Sequence, residues 1–160
     1  MSRINRQRGL GNLSASAPPR RVAIVQARMG STRFPGKMLA PLGGRPLLEW
    51  VLRRVKSARL LDAVVLATTD LPRDRPLVDL ARQLGVATFT GSESDVLGRF
   101  AAAAAQYRAD VVVRVCADNP FVDGAEIDRL LAFFAVQDVD YACNHLDRLG
   151  SGYADGFGAE

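Results

Sequence analysis

The chain has 160 residues, enough for one domain built around a single core. Apolar residues make up 48% and charged residues 24%, the balance of a globular protein, and no apolar run approaches the length of a bilayer span, which excludes a membrane-spanning helix. The net charge of +4 would suit a nucleic-acid partner, but residues 1–21 hold five arginines and no acid, leaving 16 basic against 17 acidic residues elsewhere and excluding a basic face on the folded part.

Residues 1–21 are rich in Arg, Ser, Gly and Pro. Such a segment cannot bury enough surface to offset its ordering entropy, so it is predicted to be a disordered basic tail. It has no apolar stretch of the kind a secretion signal needs, and a cytoplasmic location is expected. The first predicted strand follows at Val22–Gln26. Helical spacing then places Leu47, Leu48, Val51, Leu52 and Val55 on one stripe, with Pro46 at the start of the helix. A strand at Ala63–Thr68 is followed by a second stripe of Leu77, Leu80, Ala81 and Leu84. Next come a strand at Val86–Phe89, a stripe of Val96, Leu97, Phe100, Ala101 and Ala104, and a strand at Asp110–Val115. A fourth stripe (Ile127, Leu130, Leu131, Phe134) and a strand at Val139–Cys143 complete the alternation.

Continuous apolar strands alternating with amphipathic helices predict an α/β fold, with three layers and a mostly parallel sheet between helices. In such sheets a ligand lies beyond the carboxyl ends of the strands, which directs attention to loops 27–45, 69–75, 90–94 and 116–123. Cys116 and Cys143 show no disulfide or metal spacing and read as small apolar residues at strand ends. The single histidine, His145, lies in a loop-like stretch and is given no role. Residues 147–160 are Gly-rich and read as a loop.

The loop after the first strand reads Ala27-Arg28-Met29-Gly30-Ser31-Thr32-Arg33-Phe34-Pro35-Gly36-Lys37. It combines glycines, hydroxyls and three cations. Glycine lets backbone approach a ligand, exposed N–H groups cradle phosphate oxygens, Arg grips phosphate bidentately, and Lys acts as a mobile point charge. The spacing matches neither the Walker A motif nor G-x-G-x-x-G, so a P-loop NTPase and a Rossmann dehydrogenase lose support. The competing reading is a solvated loop with Pro35-Gly36 as a turn.

The run Gln26–Leu39 resembles the signature loop of the CMP-sugar cytidylyltransferases, which include the acylneuraminate and 3-deoxy-manno-octulosonate enzymes and a spore coat polysaccharide branch. Further blocks match in the same order: Gly44–Leu47, Ala67–Asp70, Gly91–Phe100 and Val113–Phe121. The resemblance covers residues 22–145 and implies the nucleotide-diphospho-sugar transferase type of three-layer fold over a domain at 22–160. The implied reaction transfers CMP from CTP to an acidic sugar, with Mg²⁺ as cofactor and release of pyrophosphate, in surface polysaccharide synthesis. Neither nucleic acid nor membrane is an expected partner, and a homodimer is consistent with the family.

The resemblance also assigns residues. Arg28, Lys37 and Asp118 are the expected catalytic residues. Ala27, Arg28, Gly30, Ser31, Arg33 and Lys37 are expected on the nucleotide, joined by Thr69, Asp70, Asp95, Arg99 and Arg114. Asp118 read alone is equally a turn former before Asn-Pro; the family's metal-binding aspartate stands at this place. Ala117 stands where the family usually has glycine, which requires a backbone φ below zero there. Asp95 and Arg99 alone read as an i,i+4 ion pair, and Arg114 as a charge paired at a strand's end. The final residues resemble the start of the family's later part, so the domain is expected to be incomplete at its carboxyl end, with Asp155 or Glu160 standing in for a second metal carboxylate. Two alternatives remain: an inactive nucleotide-binding remnant of the family, and a relative using another nucleotide.

Overall fold

The computed structural model describes residues 17–144 and 157–159. His145, Asp155 and Glu160, most of the expected terminal loop and residues 1–16 of the expected tail lie outside the described residues. Arg20 and Arg21 belong to the fold. The backbone N–H of Arg20 donates to Asp110 at 2.7 Å, and that of Arg21 donates to Asp62 at 2.7 Å.

In chain order the elements are β1 (Arg21–Gln26), the two-residue strands β2 (Pro41–Leu42) and β3 (Arg45–Pro46), α1 (Leu47–Lys56), β4 (Ala63–Thr69), α2 (Arg75–Gln83), β5 (Ala87–Gly91), α3 (Val96–Gln106), β6 (Val111–Cys116), α4 (Gly124–Val136), β7 (Ala142–Cys143) and β8 (Phe157–Ala159). The main sheet runs β5-β4-β1-β6-β8-β7. β1, β4, β5 and β6 are mutually parallel where they pair, and β8 is antiparallel to both β6 and β7. The expected mostly parallel α/β/α architecture is what the structure shows.

Alternation along β1 divides the core. Ala23 and Val25 face the layer formed by α1, α2 and α4, where Leu48, Leu52, Leu77, Ile127 and Leu131 are buried. Val22 and Ile24 face α3, with Val65, Ala67, Phe100 and Ala103. The amphipathic stripes read from the sequence are the covered faces of the helices, except that in the third stripe Leu97 is 81% exposed and Ala101 is exposed as well.

Three expectations are corrected. The third strand begins at Ala87 rather than Val86, because α2 ends in a Schellman closure: Gly85 has φ 64, Gly85 N–H donates to Arg82 and Val86 N–H to Ala81. The last expected strand, Val139–Cys143, is reduced to Ala142–Cys143 at the sheet edge, where Asp138 and Asp140 interrupt the apolar run and Val139 and Tyr141 are exposed. β6 is fully buried on one face, and on the other only Val112 is partly covered. Val111, Val113 and Val115 point into the core, whereas Arg114 and Cys116 are exposed, because α3 packs chiefly on β1, β4 and β5. The sequence also did not announce the β2–β3 hairpin. Gly43 (φ 57) and Gly44 (φ 83) form its two-residue turn, and the Trp50 indole N–H donates to Leu42 at 2.6 Å.

Candidate active site

The chain steps from β1 outward through β4 to β5, then returns across the sheet through α3 to β6 on the other side of β1. The carboxyl ends of β1 and β6 therefore flank a topological switch point, where loops diverge and leave a crevice. A hollow of about 300 Å³ lies there, with Arg28, Ser31, Arg33, Lys37 and Asp118 on its wall. Ala27 and Gly30 line it as well.

Local chemistry shapes the first loop. Ala27 N–H extends the ladder to Ala67, and Ala27 is buried, so the backbone leaves the sheet at Arg28. Ser31 N–H donates to the Met29 carbonyl at 2.8 Å, and the Ser31 hydroxyl accepts from Phe34 N–H at 3.3 Å. Gly36, at φ 72, starts a 3₁₀ turn over Lys37–Leu39, a backbone position that favours glycine. That turn buries Met38 in the core, which anchors Lys37 beside the hollow.

Lys37 Nζ donates to Asp118 Oδ2 at 2.9 Å across the hollow. This bond, ahead of the opposing cost of burial, holds the Asp118 carboxyl below the usual aspartate range, and Arg33 adds to the effect. Ala117 is buried, and Arg108 is the single non-glycine residue with positive φ among those described, so the backbone condition on Ala117 is met. A second hollow of about 480 Å³ adjoins the first and shares Ser31, Arg33, Lys37 and Asp118, with Phe34 and Leu42 on its outer side.

A separate group gathers at the carboxyl ends of β4 and β5. Thr69 is 1% exposed, its hydroxyl donates to Asp74 and accepts from Leu71 N–H. Thr69 thus turns its hydroxyl to the interior, where both of its partners belong to the protein. Asp70 is exposed, and its N–H donates to Gly91. Asp95 and Arg99 do not form the i,i+4 pair. Asp95 caps α3 by accepting from Gly98 N–H at 2.7 Å, and Arg99 Nη1 reaches back to the Ser92 carbonyl.

Arg99 is 2% exposed, and its Nε and Nη2 find no partner among the described residues. Burial, and then the nearby Arg28 charge, lower its pKa, while Asp74, Asp95 and Glu93 oppose them. Such buried, unsatisfied donors are costly unless an acceptor reaches them. Glu93 joins this group to the loop: it pairs with Arg73 and lies 3.8 Å from Arg28. Arg114 is placed elsewhere. It is exposed on β6, with its guanidinium 5.5 Å from the Phe100 ring centroid, a cation–π contact instead of an end-of-strand ion pair.

Among the described residues no three His, Cys, Asp or Glu side chains cluster as a metal cage. The donor set still fits Mg²⁺ of the substrate-bridging kind, which takes one or two carboxylates and completes its shell with phosphate oxygens and water. Asp118, with its side chain 53% exposed at the hollow, is such a carboxylate.

Residues that sequence reasoning missed are Asp74, Arg73 and Glu93. Asp74 is fully buried and accepts from Met29 N–H at 2.6 Å. An acid beside Arg-Pro at a helix start reads as an ordinary cap, and no local pattern reveals a partner 45 positions away.

Residues 22–152 match the cytidylyltransferase family. The chain is 39% identical over 122 residues to the spore coat polysaccharide biosynthesis protein SpsF of Bacillus subtilis, covering 74% of this chain and 51% of that protein. It is 38% identical over 116 residues to a 3-deoxy-manno-octulosonate cytidylyltransferase of Bdellovibrio bacteriovorus, covering 71% of this chain and 45% of that enzyme. The structure superposes on a cytidylyltransferase from Leptospira borgpetersenii with a TM-score of 0.82 at 30% identity, covering 89% of this chain and 60% of the other. The chain spans about half the length of the curated relatives it matches.

Proposed function

Since the chain belongs to the cytidylyltransferase family, we propose that it binds CTP in the hollow of its first loop and transfers CMP to an acidic sugar, releasing pyrophosphate. The observation that supports this most is the meeting of Lys37 and Asp118 across that hollow, with Arg28 and Arg33 on the same wall. Three cations around one crevice suit a triphosphate, and the carboxylate beside them suits the metal that accompanies it. The names of the relatives, one acting on 3-deoxy-manno-octulosonate and one in spore coat polysaccharide synthesis, support a sugar acid as acceptor and surface polysaccharide as the destination.

The chemistry asks little of protein nucleophiles. A sugar hydroxyl attacks the α-phosphorus and gives up its proton to water, the bond to the bridging oxygen breaks, and pyrophosphate leaves with the electron pair. Arg28, Arg33 and Lys37 stabilise charge on the departing pyrophosphate. Asp118 would hold Mg²⁺, which when bound neutralises phosphate charge. Lys37 releases Asp118 as the nucleotide arrives and turns its ammonium to the phosphates. The adjoining hollow leaves room beside the phosphates for the second reactant. Arg99, with two free donors, and exposed Asp70 suit the base or ribose end.

Calorimetric titration with CTP, UTP, ATP and GTP in the presence of Mg²⁺ tests the nucleotide, and pyrophosphate release with sugar acids tests turnover. CTP should bind most tightly. Equal affinities or a purine preference would overturn the assignment of CTP. Tight CTP binding without pyrophosphate release from any sugar acid would favour a binding remnant over an enzyme.

A further inference from the structure

We propose that Asp74 is a positioning residue for the first loop: its buried carboxylate holds the Met29 backbone so that Arg28 and Gly30 are preset for the triphosphate. This inference rests on the reading of the hollow as a triphosphate site.

Asp74 is 0% exposed, and its carboxylate is directed to groups outside its own turn. The turn itself is closed by backbone, since Asp74 N–H donates to the Leu71 carbonyl at 2.9 Å. The carboxylate is thus free for two distant tasks. Oδ1 accepts from Met29 N–H at 2.6 Å, and Oδ2 accepts the Thr69 hydroxyl. Burying a carboxylate is costly, and charge-assisted bonds from a peptide N–H and a hydroxyl are what offset that cost. One of the two ends in β4, a rigid strand, and the other ends in the loop. Asp74 therefore ties the loop to the sheet.

The neighbouring residue holds the other side of the same loop. Arg73 pairs with Glu93, which also attracts Arg28 at 3.8 Å. This ion pair lies against Gly30: an ideal Cβ there would be 3.1 Å from both Arg73 Nη2 and Glu93 Oε1. Gly30 thus serves close packing as well as access to the hollow. Arg28 precedes the clamped Met29, so its backbone is fixed while its side chain stays half-exposed at the hollow. Holding a binding loop in its working shape before the ligand arrives spares the ordering cost at binding.

The test compares the full chain with Asp74→Asn, Asp74→Ala, Thr69→Val and Lys37→Ala. Mg²⁺–CTP and CMP are titrated calorimetrically, and hydrogen exchange is followed at the Met29 amide. Asp74→Ala should weaken Mg²⁺–CTP about tenfold, the effect of one charge-assisted hydrogen bond, while CMP changes by less than about twofold. Asp74→Asn should fall between Asp74→Ala and the unaltered chain, because the amide oxygen still accepts from Met29 N–H. Exchange at Met29 should quicken in step. Should Asp74→Ala fail to fold, Asp74→Asn and Thr69→Val give the same reading with milder changes. The proposal is overturned if folded Asp74→Asn and Thr69→Val bind Mg²⁺–CTP as the unaltered chain does while Lys37→Ala binds it weakly. If Lys37→Ala also binds it unchanged, the triphosphate reading fails, and this inference falls with it.

Discussion

Lys37 and Asp118 hold each other across the hollow, and the bond from Lys37 favours the ionised form of Asp118. Asp118 has a pKa below the ordinary aspartate value, so it stays ionised into acid, and whatever the pair contributes is present at neutral pH and lost as pH falls through that lowered value. Lys37→Ala should therefore raise the Asp118 pKa, read from the carboxyl-carbon shift in an NMR titration. An unmoved titration would show that Lys37 does not hold it. The same variant, and Arg28→Ala, should weaken CTP by roughly ten- to a hundredfold and CMP little, since CMP has no β- or γ-phosphate to grip. Calorimetry with both nucleotides decides this, and equal losses for both would place the cations on the α-phosphate instead. At this scale the meeting of Lys37, Arg28, Arg33 and Asp118 around one hollow was legible, because loop composition and strand-end position both point at the same edge of the sheet. Thr69 also stands at a strand end, but its parity turns the hydroxyl inward to Asp74, which strand-end position alone does not reveal. Asp74 itself was illegible, because burial of a carboxylate is decided by a partner from another loop.

The helices carry most of what periodicity can reveal, and their junctions carry what it cannot. All four helices stand where apolar spacing put them, since each must cover the sheet with one stripe. The hairpin at β2–β3 is two residues per strand, too short for any alternation, and β7 shrank because an edge strand with one neighbour does not overcome two aspartates. A junction also explains Gly124, the first residue of α4. An ideal Cβ there would lie 2.6 Å from the Ala58 backbone nitrogen and 2.4 Å from Ser57 Oγ. Gly124→Ala should then force α4 away from the end of α1 and cost about 1–3 kcal/mol, as overpacking does. Thermal or urea unfolding measures it, and an unchanged midpoint would mean the junction is loose. Asp95→Ala removes the only side-chain cap of α3 that the structure shows and should cost about 1 kcal/mol in the same assay.

For the molecule as a whole, a ligand that binds only the folded chain must raise its melting temperature by mass action. At a hundredfold its dissociation constant, Mg²⁺–CTP should stabilise the chain by about 2.7 kcal/mol. For a domain of this size that is a rise of roughly 5–10 °C. ATP giving an equal rise at equal concentration would contradict the preference for CTP. The family was readable from five blocks in order, and the three-layer architecture from the alternation of apolar strands with amphipathic helices.

β1 lies at the middle of the sheet, yet its two neighbours come from very different distances along the chain. β4 follows after α1, whereas the pairing with β6 joins residues such as Arg21 and Val111, 90 positions apart by sequence number. On a ribosome adding about 5–20 residues per second, β1 therefore waits roughly 5–20 s for its second neighbour. Through that interval Val22–Gln26 presents an apolar strand with at least one open edge, an arrangement prone to pair with another chain. The central strand that shapes the crevice is thus also the segment most exposed to misassembly during synthesis.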